Sequence, residues 1–94
     1  MAQASRDGRL SAAELSQAAL QTVHELTGYQ PEAVTGLEWD GEFWRVTVDA
    51  LELARIPNTT DVMGSYVVQL DDHGTLRGYK RWRRFQRGSA GDEE

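Results

Sequence analysis

The chain has 94 residues, with 10 Lys and Arg against 15 Asp and Glu for a net charge of −5, and it contains no cysteine. That length allows one small domain with a core near the lower limit for independent folding, and the missing thiols exclude a disulfide framework, a thiolate zinc site, an iron–sulfur cluster and a cysteine nucleophile. No apolar run approaches the roughly 20 residues that span a bilayer, and the first residues lack the basic region and apolar segment of a signal peptide, so a soluble cytoplasmic protein is the expectation.

Residues 1–10 are small and polar and read as a disordered tail. Residues 11–87 read as the single ordered domain, and residues 88–94, made of Gly, Ser, Ala and acids, as a second tail unable to offset ordering entropy. Ser11-Ala12-Ala13-Glu14 is a capping box. Ala12, Leu15, Ala19, Val23 and Leu26 then recur at spacings of three and four, Gly28 supplies a left-handed stop and Pro31 prevents resumption. The spacing predicts a helix over 12–27 whose narrow, alanine-rich stripe lies close against a sheet.

From Val34 the period becomes two. Asp40-Gly41 is a hairpin signal of the type I′ kind, and Asp72-His73-Gly74 a second tight turn with Gly74 closing a bulge. Strands are expected over 34–39, 42–54, 64–71 and 75–86. Residues 55–61, with Pro57 lacking an amide, form a connection in which Arg55 holds Asp61 across the loop mouth, a binding loop at Arg55-Ile56-Pro57 being the alternative. The fold class is therefore α+β: one N-terminal helix on a four-stranded antiparallel meander, like cystatin-like or similar small α+β domains.

A simple meander places Leu37 opposite Trp44, Ala50 opposite Val68, Val48 opposite Leu70 and Val68 opposite Gly78. The expected core face carries Leu37, Trp39, Trp44, Val46, Val48, Ala50, Val68, Leu70, Leu76 and Trp82, with Gly78 admitting the helix. The opposite face carries Arg45, Thr47, Asp49, Gln69, Arg77, Arg81 and Arg83, with an apolar row of Leu51, Val67 and Tyr79, and with Leu53 and Phe85 nearby. One helix cannot cover both faces, so the second is a candidate contact surface. Glu52 interrupts the apolar face and is expected in a structural polar row with Tyr66 and Lys80. A bulge near Ala50 would instead expose it.

The charge is unevenly placed. Residues 1–76 hold 4 basic and 12 acidic side chains, net −8, whereas residues 77–87 hold Arg77, Lys80, Arg81, Arg83, Arg84 and Arg87 with no acid, net +6. Aromatic residues Tyr79, Trp82 and Phe85 interleave with these cations, a composition suited to contact hot spots and, alternatively, to nucleic-acid phosphates and bases. The acidic body opposes the second use by repelling a polyanion over a Debye length of about 8 Å. His24 lies on the helix face away from Leu15 and His73 in a turn; no nucleophile, base and orienter converge on either. No catalytic residue, metal ligand or cofactor site is expected.

Several stretches together resemble one family. They are Arg55-Ile56-Pro57-x-x-x-Asp61-Val62, Tyr66-x-Val68-x-Leu70-Asp71, Gly74-x-Leu76-x-Gly78-Tyr79-x-Arg81 and Arg84-Phe85-x-Arg87, preceded by Leu26-Thr27-Gly28, Pro31-Glu32-x-Val34, Gly36 and Trp44-x-Val46-x-Val48. Their order and spacing are similar to the gas vesicle protein O family over about residues 12–87. Val67 stands where the family favours Glu and Phe85 where it favours Tyr, which makes the open face more apolar here. The resemblance implies a non-enzymatic accessory role in assembling gas vesicles, through contacts with other gas vesicle proteins, in the cytoplasm or on the vesicle. The expected contact residues are Leu51, Val67, Arg77, Tyr79, Arg81, Arg83 and Phe85, with a homodimer through the same face as a further expectation. The alternative is a nucleic-acid-binding regulator of gas vesicle genes acting through residues 77–87.

Overall fold

The computed structural model describes residues 9–88, so the expected tails lie almost wholly outside the described residues. Helix α1, Ala12–Thr27, starts on the expected capping box, with Ser11 Oγ accepting from the Glu14 amide at 3.1 Å and Glu14 Oε1 accepting from the Ser11 amide at 2.8 Å. It ends at Gly28, whose left-handed backbone (φ 78°) lets its amide close on the His24 carbonyl at 2.8 Å. Four strands follow, β1 (Gln30–Trp39), β2 (Trp44–Leu53), β3 (Val62–Leu70) and β4 (Leu76–Gln86), in one antiparallel sheet of order β1-β2-β3-β4. The α+β meander is thus the architecture.

The core lies between α1 and one sheet face. Leu15, Ala19 and Val23 are fully buried against Val46, Val48, Ala50, Val68 and Leu70, each aliphatic side chain of this size contributing about 1.5–3 kcal/mol by leaving water. Paired residues share a face, so the register orders this side into cross-strand rows. They are Trp39-Trp44-Leu70-Leu76, Leu37-Val46-Val68-Tyr79, Val34-Val48-Tyr66-Arg81 and Pro31-Ala50-Gly64-Arg84. The helix packs on β1, β2 and β3. The β4 member of each row is therefore exposed, including Leu76 and Tyr79.

The register differs from the simple meander in two ways. The β1–β2 connection is a four-residue loop, not a two-residue turn: Trp39 pairs with Trp44, the Asp40 amide donates to the Phe43 carbonyl at 3.0 Å, and Asp40 Oδ1 accepts from the amides of Glu42 (2.9 Å) and Phe43 (2.8 Å). The Asp40 carboxylate has taken over the turn's amides, an alternative open to Asx residues. Leu37 consequently opposes Val46, not Trp44. The β2–β3 pairing is displaced by four, with Ala50 opposite Gly64 and Val48 opposite Tyr66. A slip by an even number of residues preserves every face.

Strand β4 carries the second difference, and it does change faces. Arg77 is an extra residue between the Leu70–Leu76 and Gln69–Gly78 pairs, and Trp82 another between Tyr66–Arg81 and Ser65–Arg83. The first bulge rotates Tyr79 and Arg81 to the helix side and Gly78 and Lys80 to the other; the second restores the original phase for Arg83 and Phe85. Trp82, expected in the core, is 54% exposed, and Trp39 and Leu76 sit at the edges of the helix's cover. Gly78 pairs with Gln69 on the far face and so admits no helix.

Candidate interaction surface on the basic strand

On the helix side, Glu52 is the extra residue of a bulge in β2, between the Leu51–Met63 and Leu53–Val62 pairs. The bulge does not expose it: its side chain is 3% accessible. Its carboxylate accepts from the Tyr66 hydroxyl at 2.6 Å, from Arg81 Nη1 at 3.1 and 3.3 Å, and from Arg84 Nε at 3.1 Å. Gly64 makes room for it, because a Cβ there would collide with Glu52 Oε2 and come within 3.2 Å of the Tyr66 ring. The polar row thus contains Glu52 and Tyr66 as expected, but Arg81 and Arg84 replace Lys80, which the first β4 bulge turns to the other face. Burial is the largest single influence on the Glu52 carboxyl and opposes its charge; the bonds from Tyr66 and Arg81 outweigh it, with Arg84 adding to them, and hold the group below the usual carboxylate range. Burial, then the bond to Glu52, pushes the Tyr66 phenol well above its ordinary value.

The pattern repeats beside it, at the same end of the sheet. Asp61, 4% exposed, accepts from the Arg55 amide at 2.7 Å and from Arg87 Nε at 2.9 Å. The contact across the loop mouth therefore uses the backbone of Arg55, while Arg87 supplies the guanidinium. Arg87 also forks onto Glu32 of β1 at 2.9 and 2.7 Å, joining both edges of the sheet. The Arg55 amide is the main reason the Asp61 carboxyl stays ionised to lower pH, and the Arg87 bond the main reason for Glu32.

The face opposite α1 carries the rows Glu38-Arg45-Gln69-Gly78, Gly36-Thr47-Val67-Lys80, Ala33-Asp49-Ser65-Arg83 and Gln30-Leu51-Met63-Phe85. Of the expected contact residues, Leu51, Val67, Arg83 and Phe85 share it. Arg77 sits at the bulge with its guanidinium 5.8 Å from the Phe43 ring centre, and Tyr79 and Arg81 lie on the helix side. The apolar row here is Leu51-Met63-Phe85, not Leu51-Val67-Tyr79.

Arg83 packs its guanidinium 4.4 Å over Phe85 and 5.1 Å from the Trp82 ring, and its Nε is buried without an acceptor. Stacking on rings, not an ion pair, holds this cation. The acid in its row, Asp49, is occupied by the Ser65 hydroxyl at 2.5 Å. A shallow depression lies beside it, lined by Arg45, Val67, Gln69, Gly78, Tyr79 and Lys80. Arg45 at its rim pairs with Asp40 at 3.3 Å and Glu38 at 3.7 Å.

Sequence reasoning missed Arg84, Arg87, Glu32 and Gly64 as parts of these networks. Arg84 and Arg87 were visible as charges, but their partners lie 32 and 55 residues away in the chain, and Gly64 had no turn signal to mark it. His24 Nδ1 lies 3.0 Å from the Tyr29 carbonyl, beside the helix end. Among the described residues no cluster of His, Cys, Asp and Glu could hold a metal ion, and no helix is long and apolar enough to cross a membrane.

The sequence pattern of the family described as gas vesicle synthesis protein GvpO matches residues 1–91. Curated relatives include gas vesicle protein O of Streptomyces sp. (strain CB03234), 47% identical over 66 residues covering 70% of this chain and 52% of the relative. Gas vesicle protein O of Haloferax mediterranei is 30% identical over 95% of this chain and 64% of its own length. Gas vesicle protein O1 of Halobacterium salinarum is 32% identical over 80% of this chain and 63% of its own length. The chain thus spans between about half and just under two thirds of the length of these relatives. No solved structure matches it. By its sequence pattern and these identities, the chain belongs to the gas vesicle synthesis protein GvpO family.

Proposed function

We propose that this chain serves gas vesicle formation as a non-enzymatic contact module, docking through the face opposite α1 onto acidic surfaces of other gas vesicle proteins. The family supports the process. One observation carries the mode of action: on that face Arg83 is flattened over Phe85, and its Nε has no hydrogen-bond partner among the described residues. Lys80 stands on the same face, beyond Val67 in its row. Arg and aromatic side chains held in this way are the usual anchors of protein interfaces. Leu51, Val67 and Phe85 supply apolar area around them, and Arg77 extends the cationic rim. Tyr79 and Arg81, on the other side, support the strand. The expected setting is the cytoplasm or the vesicle surface.

The test is capture of the other gas vesicle proteins by the tagged chain carrying Lys80→Glu and Arg83→Glu together. Capture is expected to fall sharply with the fold intact, and unchanged capture of every partner refutes the surface. Binding of RNA or DNA at low salt that the same substitutions abolish would support the nucleic-acid alternative instead. That alternative is weakened because Arg81, Arg84 and Arg87 are each tied to a carboxylate. Sedimentation at tens of micromolar separates a monomer from a homodimer formed through this face.

A further inference from the structure

The connection from β2 to β3 is a second surface, separate from the face opposite α1. Ile56 near its start is 100% exposed, and Leu53 at the end of β2 is 49% exposed. Exposed single aliphatic residues are ordinary on protein surfaces, but this one stands on a tied loop. The Arg55 amide before it is bonded to Asp61 at 2.7 Å. The Pro57 carbonyl after it accepts from both the amide and the hydroxyl of Thr60, at 3.0 and 2.8 Å. The Gly88 and Arg87 amides then fasten Thr59 and Asp61 to the end of β4, at 3.2 and 2.8 Å. A side chain presented on backbone that is already ordered loses little further freedom on docking.

The charged side chains lining the groove beside it have one sign. A groove adjoining the loop is lined by Arg55, Thr60, Val62, Arg84, Phe85 and Gln86, two guanidinium groups over apolar floor residues with no carboxylate in the lining. Arg84 remains 57% exposed despite its bond to Glu52. The complementary surface is therefore apolar at its centre and acidic at its edge. A second copy docking tip to tip does not fit, since a two-fold interface would set Arg55 and Arg84 against the same cations.

We propose that Arg55-Ile56-Pro57 is a docking tip: Ile56 enters an apolar pocket of a partner protein and Arg55 meets a carboxylate on that pocket's rim, with Arg84, whose Nε is already bonded to Glu52, adding only its charge beside it. For the partner's class, another gas vesicle protein, the inference rests on the contact reading above, but it uses a different surface.

The full chain is tagged and co-expressed with each other gas vesicle protein of its host, one at a time, and capture is measured. Ile56→Asp is expected to lower capture of one of them by at least about tenfold, with the melting temperature unchanged because a fully exposed side chain supports no packing. Ile56→Leu is expected to keep capture, and Arg55→Glu to reduce it most at low salt. Undiminished capture by the Ile56→Asp chain overturns the tip, even where Lys80→Glu with Arg83→Glu abolishes capture and so sustains the contact reading. Conversion of a parent dimer to a monomer by Ile56→Asp would assign the tip to self-association and also overturn it. A parent chain that captures none of the proteins rejects the contact reading itself, and the tip with it.

Discussion

Neighbouring cations of β4 have opposite fates. Arg81 and Arg84 reach across β3 to the buried carboxylate of Glu52, and Arg87 is shared by Glu32 and Asp61. Arg83 and Lys80, on the same strand, face the side without a helix, where Arg83 lies against Phe85 and neither is paired with a carboxylate among the described residues. Residue type does not separate the two groups, because four of the five are arginines. Their phase along the strand does, and two extra residues set it. The net +6 of residues 77–87 is therefore not one basic patch: one part staples the edge strand to the sheet and the other faces the side without a helix.

The largest expected effect comes from removing the centre of the staple. Glu52→Ala leaves the Tyr66 hydroxyl and two guanidinium groups without their acceptor. Breaking a buried pair costs about 3–5 kcal/mol, and the half-exposed arginines, which can turn to water, keep this case near about 3 kcal/mol. In a domain of this size that lowers the melting temperature by roughly 10 °C or more, a shift calorimetry resolves easily. Gly64→Ala is expected to destabilise by about 1–3 kcal/mol because its methyl overlaps the Glu52 carboxylate. Combined with Glu52→Ala it should cost much less than the sum, and strict additivity in that cycle would break the account of the site.

Acid should act next, and selectively. Glu52, Asp61 and Glu32 all have their carboxyl pKa values lowered in the folded chain. Their contribution is fully present above the unfolded-state value near 4 and is lost as pH falls below it toward the folded-state values. Melting temperature is thus expected to drop between about pH 5 and pH 3, and Glu52→Gln should flatten that slope. An unchanged slope would mean the staple does not hold the fold. Asp61→Asn should act more locally, speeding amide exchange at Arg55 and Arg87 while leaving the α1 amides protected. The smallest stability effect is expected on the other face: Lys80→Glu should stay within about 0.5 kcal/mol while weakening partner capture. A large loss of stability there would erase the contrast between the two groups.

Much of the architecture was readable along the chain. The helix was found with both ends, because a capping box and a left-handed glycine mark them by local chemistry alone. The turn at 71–75 followed for the same reason: Asp71 Oδ1 accepts from the amides of His73 and Thr75, and Gly74 adopts φ 83°. Glu52 and Tyr66 were placed together because a charged residue on an apolar strand face needs a partner. Lys80 was the wrong third member, since neither Arg77 nor Trp82 resembles a residue that bulges. Each bulge is a compromise between strands, and no window of β4 contains the other strand.

Local chemistry accordingly decided which segments are helix, turn and strand, the meander order, and the family pattern carried by Arg55-Ile56-Pro57 and the residues after it. Those properties depend on a residue and its near neighbours in the chain. Which cations are spent on buried carboxylates and which face outward was decided only in three dimensions. That outcome depends on one-residue displacements in β4 and on a missing side chain at Gly64, and on partners such as Glu32 and Arg87 that are 55 residues apart in the chain and 2.7 Å apart in the fold.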